Sequence, residues 1–395
     1  MAKIAVLERK CTGCGLCQKT CPFGAIDMKD GRPEFNAACR VCGLCVKTCP
    51  QQAIVKLETR TNTVDKSQWR DILVFAEVSG GRLHPVCMEL IGKARELAAP
   101  LGFKVRAVLV GSDVAAHAQE LRHWGVDEIA VYDDPELAYF RADVFASCVE
   151  DYIRAVKPSV VLVGATSLGR SLAPRLATRF RTGLTADCTK LELRENTDLV
   201  QIRPAFGGNI MAQIVTTHTR PQFATVRYKV MDSPVRSDEP GGEIVQRPLP
   251  KAAREGRARC VSVTPIPPKK SISDAEILVV GGRGLQKEAD LSMIRELAAL
   301  LGGDWAVSRP LVEKGWATNE RQIGLSGRTV RPRLIITCGV SGAIQFATCM
   351  RDSDFIVAIN SDRAAPIFDV AHVAIVDDLY RVVPALIEQL KEARA

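Results

Sequence analysis

A doubled run of cysteines near the amino terminus constrains this chain more than any other feature of its sequence. Residues 11–22 read CTGCGLCQKTCP, and residues 39–50 read CRVCGLCVKTCP. Each run has the spacing C-x2-C-x2-C-x3-C and is followed by proline. These runs hold eight of the 14 cysteines of the 395-residue chain. So short a region has room for little apolar core, and centres bound by the thiols are expected to hold it together.

This spacing resembles that of bacterial ferredoxins with two [4Fe–4S] clusters, in which the fourth cysteine of each run ligates the other cluster. Three thiolates separated by two residues let a loop wrap three corners of one cluster, and Gly13, Gly15 and Gly43 permit close backbone approach. A zinc site usually takes its four ligands from two C-x2-C pairs. Each run here has three closely spaced cysteines and a fourth one, and these cysteines do not group into such pairs. The resemblance predicts two ligand sets: Cys11, Cys14, Cys17 and Cys49 for cluster 1, and Cys39, Cys42, Cys45 and Cys21 for cluster 2.

The composition argues against several other classes of protein. Hydrophobic residues make up 47% and charged residues 25% of the chain, as in soluble globular proteins. No apolar run approaches the ~18 residues of a membrane span, and MAKIAVLERK does not resemble a signal peptide, so a cytoplasmic location with reduced thiols is expected. The net charge is +8, but the scattered Lys and Arg residues form no basic tract of the kind that binds nucleic acid.

The dipeptide Asp30-Gly31 and the remaining cysteines support two further structural predictions. Asp30-Gly31, between the two cysteine runs, is typical of a two-residue hairpin turn. Six cysteines lie outside the runs, have no ligand spacing and are expected to be buried structural thiols. They are Cys87, Cys148, Cys188, Cys260, Cys338 and Cys349.

Beyond residue 70 the sequence alternates between apolar strands and amphipathic helices. DILVFAEV (71–78) and SVVLVGA (159–165) are typical of buried strands, and the segment 86–102 has a helical period. Such alternation predicts mostly parallel sheets with helices on both faces. The pattern stops after Tyr228, where seven prolines between residues 234 and 270 indicate a connection, and it resumes near residue 275.

The predicted fold class is therefore α/β, with a small ferredoxin-like 2[4Fe–4S] domain followed by two doubly wound parallel-sheet (Rossmann-like) domains. The predicted boundaries are residues 1–60 for the ferredoxin-like domain, 61–70 for a linker, 71–232 for the first α/β domain, 233–272 for a Pro-rich connection and 273–395 for the second α/β domain.

Two strand-to-helix turns in the last domain have the composition of binding loops. Gly281, Gly282 and Gly284 follow one strand, where bare backbone N–H groups would face an anion, and Ser341 follows another strand. Both turns are expected at the carboxyl edge of one sheet, the usual place for a nucleotide-like ligand. The glycine pattern alone is weak, because Lys287 replaces the third glycine of G-x-G-x-x-G and no P-loop is present. Glycines that only make tight turns are the alternative.

The order and spacing of motifs in this domain resemble those of electron transfer flavoprotein α subunits, including the FixB-like proteins. GGRG, SRP, IGLSG, GVSGAIQ, IVAIN, APIFDVA and DDLYRVVP occur in the family's order, and segments 164–189, 203–209 and 220–227 resemble its first α/β domain. The resemblance covers roughly residues 70–395. The fused cysteine domain is similar to the ferredoxin-bearing α subunits of electron-bifurcating flavoproteins, including those paired with lactate dehydrogenase or caffeyl-CoA reductase.

The resemblance implies one bound FAD in the last domain. The loop at 323–326 would cover the flavin with Ser326 near ring N5, the turn at 341–345 would face the pyrophosphate, and Asn360 would lie on the adenosine side. Cations beside the flavin would stabilise its reduced forms. The complete set of FAD contacts that the resemblance implies is Arg283, Ser308, Arg309, Ile323, Gly324, Leu325, Ser326, Ser341, Gly342, Ala343, Ile344, Gln345, Phe346, Asn360, Asp378 and Leu379.

Two of these positions depart from the family pattern. Leu325 stands where many members have Gln, and Phe346 stands where many have a His at the pyrimidine edge of the flavin. A phenyl ring cannot supply the charge of that His, so the departure affects the expected flavin potential rather than FAD binding.

The resemblance implies an electron-carrier subunit without a bond-making active site of its own. It would pair with a β subunit in a heterodimer and carry electrons through one FAD and two [4Fe–4S] clusters. These electrons would pass between the β-subunit flavin with its NADH, ferredoxin, and a flavin-dependent dehydrogenase such as acyl-CoA dehydrogenase or lactate dehydrogenase. Flavin-based electron bifurcation is the main hypothesis. Two alternatives stay open: a non-bifurcating carrier that serves its ferredoxin domain or a quinone reductase, and an iron–sulfur regulator that binds ATP or AMP.

Overall fold

The computed structural model describes residues 3–57, 64–205, 210–256, 258–264 and 271–393. Parts of the predicted linker, of the Pro-rich connection and of the 203–209 motif lie outside these described residues. The chain divides into two compact units, Met1–Thr63 and Val64–Ala395. The finer domain boundaries stay predictions.

The first unit repeats one small motif twice. Gly15 (φ +70°) and Gly43 (φ +78°) precede its two helices in the left-handed conformation that favours glycine. Asp30 and Gly31 have φ values of +50° and +75° between two paired strands, which confirms the predicted hairpin turn. The elements are β1 (Lys3–Val6), α1 (Leu16–Thr20), β2 (Ile26–Lys29), β3 (Arg32–Phe35), α2 (Leu44–Thr48) and β4 (Ile54–Leu57). Strand β1 pairs with β4, and β2 pairs with β3, both in antiparallel fashion.

The buried core of the first unit is very small. It contains Cys17, Ala25 and Ile26 from one half and Cys45, Ala53 and Ile54 from the matching positions of the other half. Two of these six residues are cysteines and two are alanines, so little apolar surface is available to stabilise the unit without bound centres.

The second unit contains the two large sheets. Its strands are β5 (Ile72–Ala76), β6 (Val78–Ser79), β7 (Arg82–Leu83), β8 (Val105–Gly111), β9 (Glu128–Asp133), β10 (Val160–Gly164), β11 (Leu184–Cys188), β12 (Lys190–Leu193), β13 (Leu199–Ala205), β14 (Ile210–Val215), β15 (Gln222–Val226), β16 (Glu243–Gln246), β17 (Ile277–Gly281), β18 (Asp304–Ser308), β19 (Gln322–Ile323), β20 (Leu334–Cys338), β21 (Phe355–Asn360) and β22 (Val373–Val376). Its α-helices are α3 (Val86–Ala98), α4 (Ala115–Leu121), α5 (Ala142–Val156), α6 (Ser167–Arg179), α7 (Lys251–Arg254), α8 (Leu291–Leu300), α9 (Arg309–Glu313), α10 (Ile344–Ala347) and α11 (Leu379–Glu392).

The first sheet is a seven-stranded parallel sheet in the order β11-β15-β10-β5-β8-β9-β16. Every residue of its central strand β5 is buried. Ile72 and Val74 face a core that includes helices α3 and α4, whereas Leu73 and Phe75 face helices α5 and α6. The strand is apolar throughout because both of its faces are covered. Strands β12, β13 and β14 form a separate antiparallel sheet.

Part of the predicted Pro-rich connection is regular structure. Strand β16 pairs in parallel with β9 at the edge of the first sheet, and Ala253 of α7 packs into the core beneath α5. Four residues between prolines are too few to show a strand period, and their structure comes from the sheet edge that they join. The described residues of the predicted linker are bonded to the second unit, since Lys66 pairs with Asp198 at 2.7 Å.

The second sheet has the order β19-β18-β17-β20-β21-β22, with every neighbouring pair parallel. Counted along the chain from β17, this is the order 3-2-1-4-5-6 of dinucleotide-binding sheets. Helices α8 and α11 pack on one face. Asp378 caps the start of α11, and its carboxylate accepts a hydrogen bond from the Tyr380 N–H at 3.0 Å. The two doubly wound parallel sheets confirm the predicted fold class. No helix among the described residues is long and apolar enough to cross a membrane.

Candidate functional site

Two small cavities in the first unit are each surrounded by four cysteine thiols. The first cavity is lined by Cys11, Cys14, Cys17 and Cys49. The second cavity is lined by Cys21, Cys39, Cys42 and Cys45. Each cavity takes three thiols from one run and the fourth from the other, which is the grouping that the sequence predicts for clusters 1 and 2. The assignment of these thiols as ligands stays a prediction.

The arrangement of the thiols fits a cluster better than a single ion. Among the described residues, no three His, Cys, Asp or Glu side chains lie close enough together to hold one metal ion. A [4Fe–4S] cube takes one thiolate at each of four corners, so its ligands surround a volume instead of converging on a point. Burial raises the pKa of the Cys17 and Cys45 thiols, and the neighbouring thiols of each run add to this rise. Bound iron would stabilise the thiolate forms against both effects.

The loop around the first cavity requires glycine at one position. Gly13 has φ +71°, and an added Cβ would lie 2.5 Å from the Gly31 carbonyl oxygen. This close approach of two backbone segments is possible only without a side chain. The matching position of the second run is Val41, with φ +55°, a costly conformation for a β-branched residue.

A cleft of about 520 Å³, here named the second-sheet cleft, lies at the carboxyl ends of β19, β18, β17 and β20. It includes the point between β17 and β20 where the strand order reverses, which is where ligands bind in open α/β sheets. Its volume lies within the ~300–1,000 Å³ typical of ligand sites. The predicted FAD contacts that line it are Arg283, Ser308, Arg309, Ile323, Gly324, Leu325, Ser326, Ser341, Ala343, Gln345 and Phe346. The lining residues that the sequence did not indicate are Pro310, Glu313, Gln322 and Val340.

Hydrogen bonds within the 322–328 loop fix its side of the second-sheet cleft. The Gln322 side-chain amide donates to the Ser326 hydroxyl at 2.8 Å, and the Leu325 N–H donates to the Gln345 carbonyl at 3.0 Å. The loop is therefore bonded to the backbone of α10, whose residues Gln345 and Phe346 also line the cleft. Such a preformed cradle, with hydroxyl and guanidinium groups along an apolar wall, fits a flavin nucleotide.

The glycines after β17 have a different role from the one expected. The N–H groups of Gly282 and Gly284 donate to the carbonyl oxygens of Cys338 and Gly339, both at 2.9 Å, so they do not face an anion. A Cβ on Gly282 would lie 2.3 Å from the Gly339 oxygen. The expectation of bare N–H groups here is wrong, because the glycines pack two neighbouring loops together and leave Arg283 to line the cleft.

Five predicted FAD contacts lie outside the lining of the second-sheet cleft: Gly342, Ile344, Asn360, Asp378 and Leu379. Asn360 ends β21 and donates from its side chain to the Val340 carbonyl at 2.8 Å, and Asp378 caps α11. Both follow strands farther along the same sheet edge. Because neighbouring strands lie about 4.8 Å apart, the edge from β19 to β22 spans roughly 24 Å, room for an extended dinucleotide. Their contact with adenosine stays a prediction.

Arg227 is a functional candidate that the sequence reasoning missed. It follows β15 of the first sheet, yet its guanidinium donates to the Leu325 carbonyl of the second-sheet cleft at 3.1 Å. It also reaches the Asp187 carboxylate at 3.5 Å and the Cys349 sulfur at 3.8 Å. A cation directly after a buried parallel strand is the signal that could have identified it. Arg227 thus ties the 322–328 loop to the first sheet.

A second cleft of about 480 Å³, the first-sheet cleft, is lined by Arg227 and by Gly327 and Arg328 of the 322–328 loop. Thr166 donates from its hydroxyl to the Glu77 carboxylate at 2.5 Å and accepts the Gly169 N–H at the start of α6. Burial raises the pKa of Glu77. Arg170 and Arg328 complete a strongly polar lining. The 322–328 loop therefore contributes residues to both clefts, and Arg227 lines the first-sheet cleft.

Replacing Arg227 with Met is expected to weaken FAD binding about tenfold. The change removes a charged hydrogen bond to the Leu325 carbonyl, and a bond of this kind contributes about 1.5–3 kcal/mol. The measurement is the fluorescence change when FAD is added back to flavin-depleted protein. Arg331→Met is the matched control, since Arg331 pairs with Asp232 at 2.6 Å and does not line the second-sheet cleft. Equal FAD affinity in the two variants would show that Arg227 does not position the flavin loop.

The six cysteines outside the runs follow the expectation with one exception. Cys87, Cys148, Cys188, Cys338 and Cys349 are buried, whereas Cys260 is exposed. The expectation is wrong for Cys260 because that residue lies in the Pro-rich connection, which has no core of its own.

Comparison with family models gives three matches along the chain. The electron transfer flavoprotein domain matches residues 72–259, the electron transfer flavoprotein FAD-binding domain matches residues 271–351, and the 4Fe-4S dicluster domain matches residues 10–54. Together these matches extend over most of the chain and include both cysteine runs and the second-sheet cleft.

Several curated proteins are similar over most of the chain. The lactate dehydrogenase (NAD(+),ferredoxin) subunit LctC of Acetobacterium woodii is 50% identical over 371 residues, which cover 94% of this chain and 89% of that protein. The electron transfer flavoprotein subunit alpha of Thermoanaerobacterium thermosaccharolyticum is 42% identical, over 83% of this chain and 100% of that protein. Protein FixB of Azorhizobium caulinodans is 42% identical, over 82% of this chain and 89% of that protein.

Proposed function

Because this chain belongs to the electron transfer flavoprotein family, we propose that it is the α subunit of a heterodimer that performs flavin-based electron bifurcation. It is an electron-transfer subunit that carries FAD and [4Fe–4S] clusters. The observation that supports bifurcation is that one chain combines the second-sheet cleft with two four-cysteine cavities. Electrons that reach the flavin thus have iron–sulfur acceptors on the same polypeptide.

The names of the relatives support specific partners. A β subunit would complete the heterodimer and supply the flavin that takes a hydride from NADH. The relative that is 50% identical is named as a subunit of a lactate dehydrogenase that uses NAD(+) and ferredoxin. That name favours lactate dehydrogenase over acyl-CoA dehydrogenase as the third component and supports ferredoxin as the low-potential acceptor.

The residues of the second-sheet cleft would bind and tune the flavin, and FAD supplies the ability to exchange electrons singly or in pairs. Arg309 donates to the Glu313 carboxylate at 2.8 Å, so much of its charge is balanced. Arg283 has no ion-pair partner among the described residues. Phe346 is 5% exposed and packs beneath the sheet, at the position where many family members carry His. We therefore expect Arg283 to be the main cation that stabilises extra negative charge on the flavin.

The test of bifurcation uses the purified heterodimer with NADH, ferredoxin and the dehydrogenase. Ferredoxin reduction is expected to require the oxidised substrate of the dehydrogenase, with equal numbers of electrons going to the two acceptors. Ferredoxin reduced equally fast without that substrate would reject bifurcation and leave the non-bifurcating carrier. The match to an FAD-binding family speaks against the nucleotide-binding regulator, and release of about one FAD per chain on acid precipitation would check this directly.

A further inference from the structure

The two halves of the first unit provide an internal control for each other. Cys11 and Cys39, the first ligands of the two predicted sets, are 28 positions apart, and α1 and α2 keep the same separation. The potential of an iron–sulfur cluster depends on cluster type, hydrogen bonds to sulfur, solvent exposure and nearby charge. Each factor can therefore be compared at matching positions, and the type of cluster is the same because both predicted ligand sets are four cysteines.

Hydrogen bonds to sulfur are matched in the two halves. The Ala25 N–H donates to the Cys21 sulfur at 3.4 Å, and the Ala53 N–H donates to the Cys49 sulfur at 3.3 Å. Because Cys21 and Cys49 are assigned to different clusters, each cluster receives one of these bonds. This factor does not distinguish them.

Exposure of the thiols is matched as well. Cys17 and Cys45 are each 7% exposed, and Cys14 and Cys42 are both exposed. Exposure of the thiols therefore does not distinguish the two cavities.

Charge differs between the two cavities. Arg40 lines the second cavity, and Thr12 occupies the matching position in the first. Of the described residues that line the first cavity, none is Lys, Arg, Asp or Glu. No carboxylate in the described part of the first unit pairs with Arg40. Lys10 precedes Cys11 but does not line the first cavity.

We propose that Arg40 makes cluster 2 the more easily reduced of the two clusters. Reduction adds one negative charge to a cluster, and a guanidinium at the wall of its cavity lowers the energy of that charge. Arg40 is exposed, so solvent limits the effect to about a tenfold change in the one-electron equilibrium, or ~59 mV. An electron shared by the pair then resides mainly on the cluster bound by the second run. This inference rests on the ligand sets of the proposed function.

Exchange of the two matching residues tests the proposal. Potentiometry of the whole heterodimer, followed by electron paramagnetic resonance, is expected to resolve two one-electron steps for the clusters. Arg40→Thr should lower the upper step by up to ~59 mV, and Thr12→Arg should raise the lower step by a similar amount. The double variant that combines Arg40→Thr with Thr12→Arg should again show two separated reduction steps. Arg40→Lys should keep the wild-type potentials, and all shifts should shrink in high salt because Arg40 is exposed.

Three results would overturn the proposal: unchanged steps in Arg40→Thr, a shift of its lower step instead of its upper one, or unchanged steps in Thr12→Arg. Iron analysis separates these results from loss of a cluster, because about eight iron atoms per chain are expected in every variant, and the residual spectra of the Cys49→Ser and Cys21→Ser variants test the ligand sets. If Arg40→Thr loses iron, Thr12→Arg in the other half still decides the question. Loss of NADH-driven coupling in the wild type would reject bifurcation while leaving the measured order of the potentials intact.

Discussion

Replacing Cys49 with Ser is expected to destroy cluster 1, whose other three ligands lie in the first run of cysteines. Cys49 lines the first cavity together with Cys11, Cys14 and Cys17. Serine is a poor ligand for iron, so the iron content should fall from about eight to about four atoms per chain. The measurements are iron and acid-labile sulfide per chain and the electron paramagnetic resonance spectrum of the reduced protein.

The identity of the surviving cluster distinguishes crossed from local ligation. Cys49→Ser should leave the same residual spectrum as Cys14→Ser, and Cys21→Ser should leave the same spectrum as Cys42→Ser. If each run held its own cluster, Cys49→Ser would match Cys42→Ser instead. Cys260→Ser is the control, because this exposed cysteine belongs to the second unit and should keep all of the iron.

Replacing Gly342 with Ala is expected to reduce FAD affinity by at least tenfold, or about 1.4 kcal/mol. Gly342 has φ +83°, and an added Cβ would lie 2.0 Å from the Ile367 nitrogen. Ile367 is fully buried and its N–H donates to the Ser341 carbonyl at 3.2 Å, so the backbone of the turn must move. Ser341 and Ala343 would shift with it, and both line the second-sheet cleft. FAD per chain in the purified heterodimer and the dissociation constant after reconstitution are the measurements.

Gly302→Ala separates this clash from the cost of the backbone conformation alone. Gly302 follows α8 with φ +71°, but no atom lies within 4 Å of an added Cβ. This variant should lose about 1 kcal/mol of unfolding free energy and keep its FAD affinity. Equal loss of FAD in both variants would mean that global stability, rather than the Ser341 turn, determines retention of the flavin.

Much of the candidate site could be predicted because its signals are local in the sequence. The spacing of Cys11, Cys14 and Cys17 reflects how a short loop wraps a cluster, and the structure groups the thiols of both runs as expected. The motifs from GGRG to GVSGAIQ each follow a buried strand, so parallel pairing brings Arg283 and Ser341 to one sheet edge.

Features that arise between distant segments could not be predicted in this way. The hydrogen bonds that occupy the Gly282 and Gly284 N–H groups depend on the loop after β20, which lies more than fifty residues later. Arg227 reaches Leu325 because the two α/β domains pack together in one unit, and no local pattern records that contact. Strand β16 exists because β9 offers an unpaired edge.

The sequence by itself determined the chemistry of this protein: the cysteine spacing and the strand-to-loop motifs indicated two iron–sulfur clusters and one FAD on an α/β chain. Spacing carries this information because ligands and turns within a few residues are constrained by covalent geometry. Only the tertiary structure decided which N–H groups stay free, which arginine supports the flavin loop and which cavity contains Arg40. These properties depend on contacts across long sequence separations, where burial and hydrogen-bond geometry follow from packing rather than from local pattern.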